Sequence, residues 1–141
     1  MISSLPFDVL QRMLEALPVR IFWKDRESRY LGCNQLFADD AGIPDPRSFV
    51  GKTDFYLFPF DQAEIYRYND AEVMLTGVSK TIEEQLTMPD GQVRWVRTHK
   101  LPLRDANGAV IGLVGMYQHI TEQKRLHERL RMEALAAAVS G

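Results

Sequence analysis

The residues able to do chemistry in this chain are few, and their spacing works against most reactions. Gly51-Lys52-Thr53 matches the end of a phosphate-binding loop, but the earlier glycine that such a loop requires falls on Pro46. The run reads as a turn between short helices. The histidines are His99, His119 and His127, and the single cysteine is Cys33. Pairing the last two strand-like runs around Asp105–Gly108 sets His99 opposite Val114 and His119 opposite Arg94. The two rings then lie on opposite faces, His127 falls on the last helix, and no metal ligand set forms. Cys33 has no histidine near it and lies on an expected core strand, so it reads as a buried structural thiol. Glu83 and Glu84 are neighbours on a strand, point to opposite faces and cannot act as an acid–base pair. No catalytic residue is assigned.

The elements that must position these residues are legible from periodicity and punctuation. Phe7, Leu10, Leu14 and Leu17 recur at helical spacing before Pro18, giving a helix over 4–17 with Ser4 as its cap. Val19–Lys24 and Arg29–Cys33 read as a hairpin. Asn34 caps a short helix that runs to Ala41 and is ended by Gly42. The stretch 49–60, rich in Phe and Tyr, reads as irregular backbone folded over a core or cavity. A long helix spans 61–75 and ends at Gly77. The runs Lys80–Met88, Gln92–Leu103 and Ala109–Ile120, separated by Pro89-Asp90-Gly91 and Asp105–Gly108, form an antiparallel meander. Thr121 is expected to cap a polar helix that reaches about residue 139. This order predicts an α+β fold, an antiparallel sheet with helices on one face.

Composition narrows the class further. The chain has 141 residues, 45% hydrophobic and 26% charged, with a net charge of -2. That is one globular domain's worth and excludes collagen, disorder and a bare coiled coil. Seventeen basic against nineteen acidic residues leave no electrostatic case for nucleic acid. One cysteine implies no internal disulfide. The longest charge-free stretch inside the fold, Ala109–Ile120, is far short of the roughly 20 apolar residues a membrane span needs. The expected location is the cytoplasm, with room for a membrane anchor elsewhere in a longer protein.

Several ordered segments carry a resemblance. They are Ile21-Phe22-Trp23-Lys24-Asp25, Tyr30-Leu31-Gly32-Cys33-Asn34, Gly51-Lys52-Thr53-Asp54, Asp90-Gly91, Trp95, Pro102-Leu103, Asp105–Gly108, Gly112 and Ile120-Thr121-Glu122. Over about residues 15–124 the chain resembles the Per-Arnt-Sim (PAS) sensory fold with its PAC half. The resemblance implies a five-stranded sheet in the order 2-1-5-4-3. It implies residues 1–18 as an N-terminal capping or dimerisation helix, 19–121 as the sensor core and 122–141 as the output helix. It also implies an effector domain outside the chain, of the kind found in bacterial two-component histidine kinases, diguanylate cyclases and phosphodiesterases. The family usually closes its last strand with Asp-Ile-Thr. His119 takes the place of that Asp, which makes His119 and Thr121 the candidates for signal relay. Photosensory relatives carry a flavin-reactive cysteine where this chain has Gly51-Lys52-Thr53-Asp54-Phe55, and haem-binding relatives carry a histidine on the long helix, which has none. Covalent flavin and haem are therefore not expected, which leaves an unidentified small organic ligand.

By the same resemblance Tyr117 faces inward, and strand alternation then brings Val96 and Thr98 with it. Phe22, Glu84 and Leu86 follow by the same resemblance, and Phe37, Phe55 and Tyr66 complete the candidate ligand pocket. The opposite parity places Ile21, Trp23, Trp95 and Met116 outside. With Phe7, Leu10 and Leu14 of the first helix they are the candidates for a homodimer interface. Two functions are carried forward: a non-enzymatic sensor relaying ligand binding through its last helix, and a dimerisation module with a filled core and no ligand.

Overall fold

The computed structural model describes residues 7–140. The elements are α1 (Phe7–Ala16), β1 (Arg20–Asp25), β2 (Tyr30–Cys33), α2 (Gln35–Asp40), a 3-10 turn (Pro46–Phe49), α3 (Asp54–Leu57), α4 (Phe60–Thr76), β3 (Lys80–Thr87), β4 (Val93–Arg104), β5 (Val110–His119) and α5 (Thr121–Ser140). One antiparallel sheet has the order β2-β1-β5-β4-β3. The Ser4 cap lies outside the described residues, as does the side chain of Phe7.

Local chemistry accounts for the breaks. Asn34 caps α2 by accepting from Phe37 N, and its amide also donates to Val19 O at 2.7 Å. One side chain thus closes a helix and ties it to the start of β1. Gly77 ends α4 in the left-handed conformation at φ 69°, a region that costs a residue with a Cβ more than it costs glycine. The 3-10 turn and α3 replace the irregular backbone expected there. Thr121 opens α5 and does not cap it: Ile120 O accepts the first helical bond, from Lys124 N.

The core lies between the inner sheet face and α2, α3 and α4. Phe22, Tyr30, Phe37, Phe49, Tyr66 and Tyr117 are all buried in it. The rings interlock edge-on or tilted, Phe22 to Phe37 at 5.1 Å and Phe37 to Tyr117 at 5.9 Å between centroids. These are favourable aromatic geometries.

One register differs from the expectation. His99 faces Met116 and His119 faces Val96, because the β4–β5 pairing starts one residue off at Arg104–Val110 and slips one more at Leu103/Arg104. The displacement is two residues, so every side chain stays on its expected face. The two histidines remain on opposite faces, but only about 10 Å apart along the ladder.

Candidate functional site

The inner face of β1, β3, β4 and β5 forms the floor of a small cavity, with α3 and α4 as its roof. Its volume is about 30 Å³, and it is lined by Phe22, Lys24, Tyr30, Phe37, Asp54, Phe58, Tyr66, Glu84, Leu86, Val96, Thr98, Lys100 and Tyr117. That is room for about two water molecules. Of the nine residues expected at the pocket, all but Phe55 meet there. Phe55 is 43% exposed on α3, stacked on Phe60 at 5.3 Å with the Arg67 guanidinium over its ring. The four-residue helix turns Phe55 outward and sends Asp54 inward.

At one end of the cavity is a buried ionic cluster that sequence reasoning misses. Lys24 Nζ donates to Asp54 Oδ2 and to Asp70 Oδ2, each at 2.7 Å. Lys100 Nζ donates to Asp70 Oδ1 at 2.7 Å and to Tyr66 O at 3.3 Å. The Tyr30 hydroxyl donates to Asp54 Oδ1. Burial alone would push Lys24 down, but Asp54 and Asp70 more than offset it and hold its ammonium above the ordinary lysine range. Burial would likewise raise Asp70, and the two lysines outweigh it and hold that carboxyl below the usual value. Strand parity is the signal that could have found the lysines. Lys24 alternates with Phe22, and Lys100 with Thr98, so both point inward.

Two polar atoms of the wall stand apart from these bonds. Glu84 Oε2 and Thr98 Oγ1 are buried and lack a well-formed hydrogen bond. Burial pushes the Glu84 carboxyl up, against the charge of Lys100 and the nearby Thr98 hydroxyl, which both favour its ionised form. Lys24 does not serve Glu84, because its ammonium is taken by the two aspartates. Glu84 is less exposed than Glu83, as strand alternation requires.

A second polar cluster sits where the sheet meets α5. Asp40 Oδ2 accepts from Tyr117 Oη at 2.7 Å and Arg20 Nε at 3.1 Å, and lies 2.8 Å from His119 Nε2. His119 therefore ties the strand end to α2. The Thr121 hydroxyl accepts from Trp95 N at 2.9 Å, which pins the first residue of α5 to β4. Lys124 reaches from α5 over the Trp95 ring, 4.5 Å from its centroid, and pairs with Glu83 at 2.8 Å.

On the outer face, Trp23, Trp95 and Met116 are half-buried and Ile21 is only 4% exposed. Ile21 is thus buried within one chain and offers no surface to a partner, a correction to its place among the interface candidates. Trp23 lies flat against Gly32, where a Cβ would overlap the indole. Leu10 is 38% exposed and Leu14 half-buried on α1. Cys33 is buried, and desolvation pushes its thiol up to about 12, which suits a structural residue.

Known proteins share this architecture. Over 130 residues the chain is 35% identical to a diguanylate cyclase of Vibrio cholerae, covering 88% of the chain and 39% of that protein. It is 28% identical over 129 residues to the aerobic respiration control sensor protein ArcB of Escherichia coli, covering 86% of the chain and 15% of ArcB. The chain thus spans well under half the length of these relatives. Among solved structures, the Vibrio cholerae VqmA–ligand–DNA complex superposes with a TM-score of 0.77 at 26% identity, over 84% of this chain and 53% of that one. The family model for the PAS fold matches residues 14–125, from the last turn of α1 to the first turns of α5. Sheet order and sequence match agree, and the chain belongs to the PAS family.

Proposed function

We propose that this chain is the sensor of a larger bacterial signalling protein. A small organic molecule enters the inner cavity, and its arrival is passed through β3 and β4 to α5 and on to an effector outside the chain. The observation that carries this reading is the cavity itself, whose wall holds two buried polar atoms, Glu84 Oε2 and Thr98 Oγ1, that lack a well-formed hydrogen bond. A buried polar group without a partner costs about 1–3 kcal/mol, and a ligand that bonds it recovers that cost. Likeness to VqmA, whose solved complex contains a ligand, supports ligand binding by this fold. The diguanylate cyclase and ArcB support an effector of cyclase or kinase type, with the chain itself non-enzymatic. The VqmA complex contains DNA as well, but with a net charge of -2 we assign this chain no nucleic-acid contact of its own. No helix among the described residues is long and apolar enough to cross a membrane, and we place the module on the cytoplasmic side.

The second reading is a homodimerisation module with a filled core. It is favoured by the small volume of the cavity and by Leu10, Met13 and Leu17, which stand exposed on and just after α1, with Leu126 and Leu130 half out of the protein on α5. Native mass spectrometry of the freshly purified chain separates the two. The sensor reading expects a small-molecule adduct that dissociates on activation. Bare dimer in every charge state supports the filled module and overturns the sensor.

A further inference from the structure

The geometry points to a ligand that offers an N–H donor and carries no negative charge: a small planar amide, amidine or amino-substituted nitrogen heterocycle, held by Glu84 and Thr98. This deepens the sensor reading and rests on it.

Charge within the cavity decides the class. Lys24 and Lys100 each sit 2.7 Å from an aspartate, and Asp54 and Asp70 balance them two against two. Glu84 is a fifth charged group, beside the Thr98 hydroxyl and within reach of the Lys100 charge, and its Oε2 has no well-formed hydrogen bond. An anionic ligand would meet that carboxyl while the nearby cations are already committed, which is strongly unfavourable in a buried site. A donor meets the complementary need. The ionised carboxylate accepts from an amidinium in a bidentate, charge-assisted pair. The protonated acid, favoured here by burial, matches the donor–acceptor edge of an amide.

Position fixes the second contact. Glu84 pairs with Val96 across the β3–β4 ladder, and Thr98 lies two residues further along the same inner face. The Thr98 hydroxyl lies beside the Glu84 carboxyl, so the two present one polar edge to a guest. The apolar walls are rings, Phe22, Phe37, Tyr66 and Tyr117, which suit a flat guest. Phe58, half-buried on the loop after α3, is the wall residue whose displacement admits it.

Benzamidine, benzamide and benzoate share one ring and nearly one shape but differ in charge and donors. Each is titrated into the full chain and into Phe58→Ala, with amide chemical shifts of β3 and β4 as the readout. Benzamide and benzamidine are expected to move the amides of Glu84, Val96 and Thr98. Benzoate is expected to bind at least about tenfold more weakly, and Glu84→Gln to weaken benzamidine by about tenfold or more. Benzoate binding as tightly as benzamide, or Glu84→Gln leaving benzamidine unchanged, overturns the donor-ligand inference while the ligand cavity stands. Silence from all three probes in both proteins overturns the cavity reading together with the inference.

Discussion

Glu83 and Glu84 are consecutive on β3 and serve opposite sides of the sheet. Glu83 Oε1 holds Lys124 of α5 at 2.8 Å and Glu83 Oε2 holds Arg97 at 2.9 Å, while Glu84 turns into the cavity. A shift of this edge strand at Glu84 is therefore a shift of the anchor of α5. Lys124→Ala is expected to leave global stability nearly unchanged, because the ion pair is partly exposed. The same change frees the first turn of α5, seen as faster amide exchange over residues 121–126.

Glu84 gives the cavity a pH signature of definite sign. Burial raises its carboxyl, so the folded chain keeps this proton to higher pH than the unfolded chain, where glutamate titrates near about 4.3. Its contribution to stability is full below that value and is lost as pH rises through the folded one. Glu84→Gln should therefore gain stability on wild type as pH goes from about 4 to 7. Urea unfolding at several pH values reads this directly, and parallel curves would refute it.

The ionic cluster behaves in the opposite sense. Asp70 is held low by Lys24 and Lys100, so its contribution is present above the unfolded value near about 3.9 and is lost as pH falls through the folded one. Asp70→Ala leaves the buried Lys100 ammonium without a carboxylate and Lys24 with Asp54 alone, and is expected to cost about 3–5 kcal/mol in denaturant unfolding at pH 7.

Gly115 lies under the Phe22 ring, and a Cβ there would sit 2.1 Å from Phe22 Cζ. Gly115→Ala must push that ring into the cavity. Overpacking of this kind costs about 1–3 kcal/mol. Thermal melts should record the loss, and benzamide shifts at Thr98 should shrink with the volume.

At the junction, His119→Asp would set a second carboxylate beside Asp40 in place of the imidazole that lies 2.8 Å from it. The melting temperature of the variant at pH 7 and low salt is expected to fall, and to recover in part in 1 M salt. Tyr117→Phe, which removes one donor to Asp40, should cost about 1–2 kcal/mol by the same assay.

The range of each interaction decides how much of it is legible in the sequence. Strand ends, the two glycine-bearing hairpins and α4 depend on neighbours in the chain, and periodicity places them within a few residues. Family resemblance puts Tyr117 and Glu84 on the inner face, and alternation brings Val96 and Thr98 with them even though the expected β4–β5 register is off by two. The Lys24–Asp54–Asp70–Lys100 cluster joins residues 30 to 46 positions apart, and no local pattern encodes such pairing. Apolar neighbours predict Phe55 inward. The one-turn helix that rotates it outward is too short to leave a period. The sheet order itself follows from family resemblance and not from spacing.

On the proposed relay, occupancy of the cavity is felt at the start of α5. Hydrogen–deuterium exchange over residues 80–87 and 121–126, with and without saturating benzamide, reads both ends of that relay in one measurement. Exchange is expected to change in both segments together, and Lys124→Ala to uncouple the second from the first. Benzamide bound at Thr98 with exchange over 121–126 unaltered would contradict the relay.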